Sequence, residues 1–245
     1  LILRAFWWNI PRPPDTITPM LKRMPPERAD ELIAAASRFP TSDPGVSYPA
    51  WYLHRWHFLP EGYLSRRSAA GYDNVIRHLY NQGLESRVIA AVVEKVRSFA
   101  PASVLEAGSG PGHLLNALAD GEDTSELVGV ELSPYLLARA KRRLQGRSVR
   151  LVHGNGLAIP ADAGSFDLAL ASHYVGHLPQ RVRAKAVAEL ARIVRPGGHV
   201  LTIEHRWHPW PATDALELIQ RAKLTLGFIA LSVFERTNEA ARATS

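Results

Sequence analysis

From residue 103 onward the chain alternates short apolar runs with longer amphipathic stretches. The runs 103–107, 127–131, 149–153, 166–172 and 199–204 read as strands. Between them, 113–119, 134–144 and 181–194 read as helices. Ser133 stands at the N-cap of the second helix with Pro134 at its first position, and Pro196-Gly197-Gly198 stops the third. Such alternation predicts an α/β fold, a doubly wound and mostly parallel sheet covered by helices on both faces. Past the fifth run, 212–226 reads as a further helix and 228–234 as a sixth strand.

Upstream the rhythm is different. Residues 1–60 are rich in proline and aromatics and have no clear period. A short helix is predicted over 25–37, with Glu27 and Asp30 in its first turn and Leu32, Ile33 and Ala36 on an apolar side. Pro40, Pro44, Gly45 and Pro49 then break the chain into loops. Two more helices are predicted over 63–80 and 84–99; in the second, Val88, Ala91, Val92, Lys95 and Val96 follow the spacing of a buried stripe. The predicted organisation is an N-terminal arm and helical lid over 1–100 and an α/β core over 101–245.

Composition narrows the partners. A length of 245 residues with 46% hydrophobic and 21% charged positions suits a globular protein with a real core. There is no cysteine, which excludes disulfides, thiolate zinc sites and cysteine nucleophiles. The net charge of +6 invites a nucleic-acid partner. Much of the excess lies between Arg139 and Arg150 and between Arg181 and Arg195, on predicted helices with solvated outer faces. No RNA-binding signature accompanies it, so nucleic acid is disfavoured. No run approaches the ~20 apolar residues of a membrane span. The opening Leu1–Ile10 lacks a signal-peptide cleavage site and is expected to pack as a terminal arm. The expectation is a cytoplasmic protein, alone or as a homodimer.

The chemistry concentrates in Val104-Leu-Glu-Ala-Gly-Ser-Gly-Pro-Gly-His113. Gly108, Gly110 and Gly112 follow a strand and precede a helix, which leaves backbone uncovered for a ligand. Glu131 falls 19 residues past Gly112, at the end of the second predicted strand, where an acid suits a pair of ribose hydroxyls. Dinucleotide sites use a Gly-x-Gly-x-x-Gly spacing around a diphosphate. Here Glu106 sits two residues before the first glycine, and a carboxylate there repels a diphosphate but suits an ammonium.

On these segments residues 100–206 resemble the class I S-adenosylmethionine (SAM)-dependent methyltransferases, in the small-molecule group that includes the ubiquinone and menaquinone C-methyltransferases. The resemblance also rests on Val128-Gly-Val-Glu-Leu-Ser-Pro134, Gly154-Asn-Gly-Leu-Ala-Ile-Pro160, Phe166-Asp-Leu-Ala-Leu-Ala-Ser-His173, His177-Leu-Pro179 and Arg195-Pro-Gly-Gly198, with a weaker match at Tyr72-Asp73. It implies SAM as cofactor and assigns roles by position. Glu106 and the three glycines face the methionine part and Glu131 the ribose, with Leu132 and Gly156 in the adjoining cofactor-binding segments. Asn155 stands where many relatives carry an aspartate for the adenine amino group. His173 lies near the cofactor, and Tyr72 closes over it. The family's sheet ends in an antiparallel hairpin; little chain remains after Phe234, so a shortened hairpin is expected.

The implied activity is methyl transfer to a small, hydrophobic or aromatic acceptor. Two aromatic segments, 51–58 and 205–210, either wall the acceptor pocket or weld the N-terminal helices onto the sheet. If the acceptor must lose a proton, the candidate catalytic groups are His177, Glu204 and His205. No metal is expected, because His54 with His57 and His205 with His208 lack a third ligand at helical spacing. The rival readings are an RNA or phospholipid-headgroup methyltransferase, from the basic charge, and a non-catalytic SAM-binding regulatory or scaffold protein, from Asn155 and the short C-terminus.

Overall fold

The computed structural model describes residues 25–53, 59, 61–75, 84–121, 125–206, 208, 210–224 and 228–238. The N-terminal part contributes α1 (Pro26–Ser37), a 3-10 turn (Ala50–Leu53), α2 (Arg66–Val75) and α3 (Glu85–Arg97). The core then runs β1 (Ser103–Ala107), α4 (His113–Leu118), β2 (Glu126–Glu131), α5 (Pro134–Arg143), β3 (Val149–His153) and β4 (Phe166–Ser172). A 3-10 turn (Val175–His177), α6 (Gln180–Ile193), β5 (Val194–His205), β6 (Leu216–Leu224) and β7 (Ile229–Arg236) complete it.

The seven strands lie in the order β3-β2-β1-β4-β5-β7-β6. The first five are parallel, and β7 runs antiparallel to both β5 and β6. The chain winds outward from β1 to β3 and then crosses back to β4 on the other side of β1. That reversal opens a crevice beyond the carboxyl ends of β1 and β4, where doubly wound sheets bind ligands.

Alternate strand residues feed two separate cores. Leu105, Val128, Ala169 and Val200 pack under α6 through Val187 and Leu190. Val104, Leu127, Leu168 and Leu201 pack under α3, α4 and α5 through Val92, Leu115 and Ala140. Burial on both faces explains why these strands read as nearly continuous apolar runs.

Two expectations fail at the C-terminal end. The segment 212–226, expected to be a helix, contains β6, and the hairpin expected to be short is present as two full strands. The physical cause is a bulge: the register with β7 shifts between Leu218 and Gln220, so Ile219 is an extra residue that breaks the alternation. As the edge strand, β6 is mostly exposed, and both Leu218 and Ile219 face outward.

The N-terminal segment packs as its own cluster, with Leu32, Tyr52 and Leu64 against Leu132, Tyr135 and Leu136 of the core. Polar stitches fix it there. Ser133 caps α5 by accepting the Leu136 N–H and donates its hydroxyl to the Tyr63 carbonyl at 2.6 Å. His153 accepts the Asp43 N–H on Nδ1 at 2.9 Å, so its Nε2 carries the proton toward the Leu132 carbonyl, also at 2.9 Å. That arrangement requires a neutral ring, and burial lowers the His153 pKa, only partly opposed by Leu132 and Asp43.

A depressed histidine pKa means that the undocked chain takes up the proton first. Docking of the N-terminal segment is therefore complete above the ordinary histidine pKa of about 6.5 and weakens as pH falls below it. Hydrogen exchange of residues 39–53 is expected to accelerate from pH 7.5 to 5.5 beyond its intrinsic pH dependence. The excess should vanish in His153→Gln; an excess that persists there would exclude His153 as the cause.

Candidate active site

The loop after β1 turns through three left-handed glycines, Gly108, Gly110 and Gly112, at φ +68°, +54° and +79°. Other residues are strained in that region, which is why the spacing calls for glycine. The loop is pinned to the end of β2 by the N–H groups of Gly108 and Ser109, which both donate to the Val130 carbonyl at 2.8 and 3.1 Å. At Gly108 the approach is also close: a Cβ would stand 2.9 Å from the Tyr174 ring.

Two acids flank this turn, and both are buried: Glu106 is 3% exposed and Glu131 6%. Glu131 Oε2 accepts the Gly110 N–H at 2.9 Å and Oε1 the Ser133 N–H at 2.7 Å. The carboxylate is thereby aimed, and the Leu132 N–H and the Tyr52 hydroxyl also bear on it. Burial raises the Glu131 pKa, and these backbone bonds oppose the rise. Glu106 has no such help. Its Oε2 is buried without a hydrogen-bond partner among the described residues, and burial, then the Glu131 charge, pushes its pKa well up. A buried carboxyl in that condition suits an ammonium group, whose charge offsets both the burial and the neighbouring Glu131 charge.

The crevice is one trench in two halves, of about 570 and 690 Å³, which share Tyr72, Gly108, Gly110, Ser172 and His173. Glu106, Val88 and Ile89 line the first; Glu131, Leu132, Asn155 and Gly156 line the second. The cofactor-side residues expected from sequence thus come together, apart from Gly112, which sets the turn into α4. Asn155 faces the trench while its side-chain carbonyl accepts the Leu157 N–H at 2.9 Å. His173 is left-handed at φ +48°, an uncommon state for a residue with a side chain, held by its N–H on the Ile203 carbonyl at 2.7 Å.

Tyr72 of α2 stands over Gly110, 3.6 Å from where a Cβ would lie. Its neighbour Asp73 explains how α2 stays there. Asp73 meets His113 Nε2 at 3.1 Å, Arg139, and Arg143 at 3.3 Å, while His113 Nδ1 meets Glu85 at 3.3 Å. These partners lie on α4, α5 and α3, so one carboxylate ties α2 to the glycine turn. They hold the Asp73 carboxyl far below its usual range against the opposing effect of its burial.

On the acceptor side, His177 lines the second half of the trench, with Trp51, Tyr52 and Tyr174. Glu204 and His205 are buried at the end of β5, and the His205 ring lies 5.2 Å from that of His173. Of the aromatic segments, Trp51 serves as a wall, whereas Trp210 stacks on Phe234 at 4.9 Å and joins the core. His54 and His57 lie outside the described residues. Tyr174 and the anchoring role of Asp73 were missed from sequence. Tyr174 offered one signal, its place directly after the β4 end; the partners of Asp73 offered none.

Basic residues that invited a nucleic-acid partner are largely paired: Arg147 with Asp120, Arg150 with Glu126, Arg192 with Glu189 and Arg195 with Asp167. No helix among the described residues is long and apolar enough to cross a membrane.

This strand order, with a glycine turn after β1 and buried acids ending β1 and β2, is similar to the fold of solved SAM-dependent methyltransferases. Residues 104–198 match the family described as a methyltransferase domain. The chain is 29% identical over 155 residues to a demethylmenaquinone methyltransferase of Thermus thermophilus, covering 62% of this chain and 68% of that protein. It spans only 36–58% of the length of other curated relatives. Its fold is similar to that of the N-methyltransferase NodS from Bradyrhizobium japonicum, with a TM-score of 0.54 and 19% identity over 65% of this chain and all of that one. It is likewise similar to a SAM-bound magnesium protoporphyrin IX methyltransferase from Synechocystis, with a TM-score of 0.52 and 12% identity over 62% of this chain and 80% of that one.

Asp73→Asn keeps the shape but removes the charge that faces Arg139 and Arg143. It is expected to weaken S-adenosylhomocysteine binding by about tenfold, the ~1.4 kcal/mol of one modest charge contact. The loss should appear in the dissociation rate measured by stopped-flow fluorescence. An unchanged rate would separate Asp73 from cofactor retention.

Proposed function

We propose that the chain moves a methyl group from SAM to a small, hydrophobic or aromatic acceptor, with α2 and the segment before it acting as the lid. The observation that carries this reading is the buried Glu106 carboxylate beside the glycine turn, its Oε2 without a partner among the described residues, with Glu131 aimed into the same trench. SAM supplies a methyl already activated on a sulfonium, with a neutral leaving group. What remains for the protein is to hold, orient and exclude water.

Glu106 takes the ammonium of the methionine part and Glu131 the ribose hydroxyls. Asn155 and Gly156 border the adenine, where the second lone pair of the Asn155 carbonyl can accept the amino group. Tyr72 closes over the turn, and Trp51 and Tyr52 present ring faces to an apolar acceptor. Alignment of acceptor and methyl supplies up to roughly 7–11 kcal/mol of the barrier. Where the acceptor must lose a proton, His177 is placed to take it, with Glu204 and His205 nearby. The quinone-type acceptor named for the Thermus relative fits walls of this kind, and the lack of cysteine fits a cytoplasmic setting.

Calorimetric titration with S-adenosylhomocysteine, with NAD in a parallel experiment, tests the cofactor. Micromolar binding of the first and none of the second is expected; binding of NAD instead would overturn the reading. Glu106→Gln should lose ten- to a hundredfold in affinity, the scale of a hydrogen bond to a charged group, ~1.5–3 kcal/mol.

The raised pKa of Glu106 adds a signed expectation. The free site holds a proton that an ammonium-bearing ligand expels, so affinity rises with pH and levels off above the Glu106 pKa. Titrations in buffers of different ionisation enthalpy should show proton release below that plateau in the wild type and none in Glu106→Gln. Equal release in both would place the titrating group elsewhere.

A further inference from the structure

Beyond His173, the loops after β4 and β5 bring four imidazoles into a closed circuit. Ring centres lie 6.2 Å apart for His173 and His177, 6.0 Å for His177 and His208, 5.9 Å for His208 and His205, and 5.2 Å for His205 and His173. Glu204 adjoins them, 7% exposed. Its Oε1 accepts the Gly176 N–H at 3.0 Å, while Oε2 is buried without a hydrogen bond among the described residues and stands 3.8 Å from His208 Nδ1. Room for this approach comes from the absence of a side chain at Gly176: a Cβ there would overlap both His208 Nδ1 and Glu204 Oε2. Gly176 directly precedes His177, which faces the trench.

We propose that Glu204 and His208 form a carboxylate–imidazole pair that takes over the proton His177 removes, which assigns the acceptor to the class that must lose one, a phenol or enol. The proposal rests on the methyltransferase reading above. In the proton step the acceptor O–H bond breaks with its electron pair left on oxygen, and the proton goes to the neutral His177 ring. His177 then yields a proton to His208 across a gap that one water or a small ring rotation spans, and returns to its neutral form. His208 ends as an imidazolium beside the Glu204 carboxylate, so the charge created on the acceptor is balanced within the site. His208 and Glu204 are positioning residues in this scheme, because they act through His177.

The surrounding charges agree. Burial, and next the neighbouring His208, hold the His205 pKa down to about 4, so His205 stays neutral and does not compete for the proton. Arg183 is directed at backbone, its Nε on the Leu178 carbonyl and its NH2 group on the Gly176 carbonyl, both at 2.9 Å. Among the described residues no group of three His, Asp or Glu is arranged to hold a metal ion.

The test uses the full chain labelled with 15N-histidine and followed by imidazole NMR from pH 5 to 9. In Glu204→Gln the His208 midpoint should fall by at least one unit, a tenfold loss of proton affinity. Titration with S-adenosylhomocysteine should be the same in both proteins. An unmoved midpoint, or coordinated shifts of all four rings on adding one equivalent of Zn²⁺, would overturn the pair. With radiolabelled SAM and a panel of naphthols, amines and thiols, transfer should go to the naphthols. Glu204→Gln and His208→Gln should each cut kcat at least tenfold at pH 7 and recover toward pH 9, where a naphthol ionises unaided. A pH-independent loss, or transfer to amines or thiols alone, would refute the proton role. Failure of the wild type to bind S-adenosylhomocysteine, with the His208 shift intact, would instead sink the underlying methyltransferase reading.

Discussion

Two carboxylates buried at the ends of neighbouring strands are the constraint around which the rest of the molecule is arranged. Burying acidic groups so completely is costly unless something positive or hydrogen-bonding meets them. Glu131 is met by backbone N–H groups of Gly110 and Ser133, which in turn fixes the glycine turn and the start of α5. Glu106 has no such partner: its Oε2 is buried without a hydrogen bond among the described residues. The left-handed turn at Gly108 and Gly110 and the register of β1 on β2 both serve to keep these two acids on one trench.

A second layer of polar contacts holds the N-terminal helices over that trench. Apolar packing of Leu32, Tyr52 and Leu64 supplies adhesion without direction. Direction comes from bonds with defined geometry: Ser133 to Tyr63, His153 to Asp43, and Asp73 to His113 and Arg139 on two core helices. Most of these contacts involve a residue within a few positions of a trench-lining residue. Tightness of the cap and shape of the cofactor site are therefore coupled through short stretches of backbone.

How much of this was legible depended on how local each feature is. The bounds of β1, β3 and β4 could be read to the residue; β1 and β4 are largely buried, so each is a nearly continuous apolar run with abrupt ends. Ser133 and Pro134 announced α5 by the chemistry of the helix start alone. β6 was misread because one bulged residue, Ile219, converts an alternating pattern into something closer to helical spacing. The Asp73 network joins residues 40 to 70 positions apart. The imidazole circuit exists because β4 pairs with β5 so that Ser172 lies beside Ile203, bringing His173 to Glu204 and His205. Register between parallel strands leaves no local mark in a sequence, so those groups could be named one by one but not assembled.

The sheet order also divides responsibilities in a way that bears on how such a protein can change over time. The acids and most of the glycine turn belong to β1, β2 and the loops that follow them, whereas the histidines and the aromatic walls belong to the loops after β4 and β5 and to the chain before α2. Few side chains, chiefly Tyr72 and His173, belong to both. Substitutions on one side can therefore accumulate with little disturbance to the other. A lineage built on this plan can exchange one acceptor for another while its cofactor half stands still, and drift in substrate preference becomes the easiest path open to it.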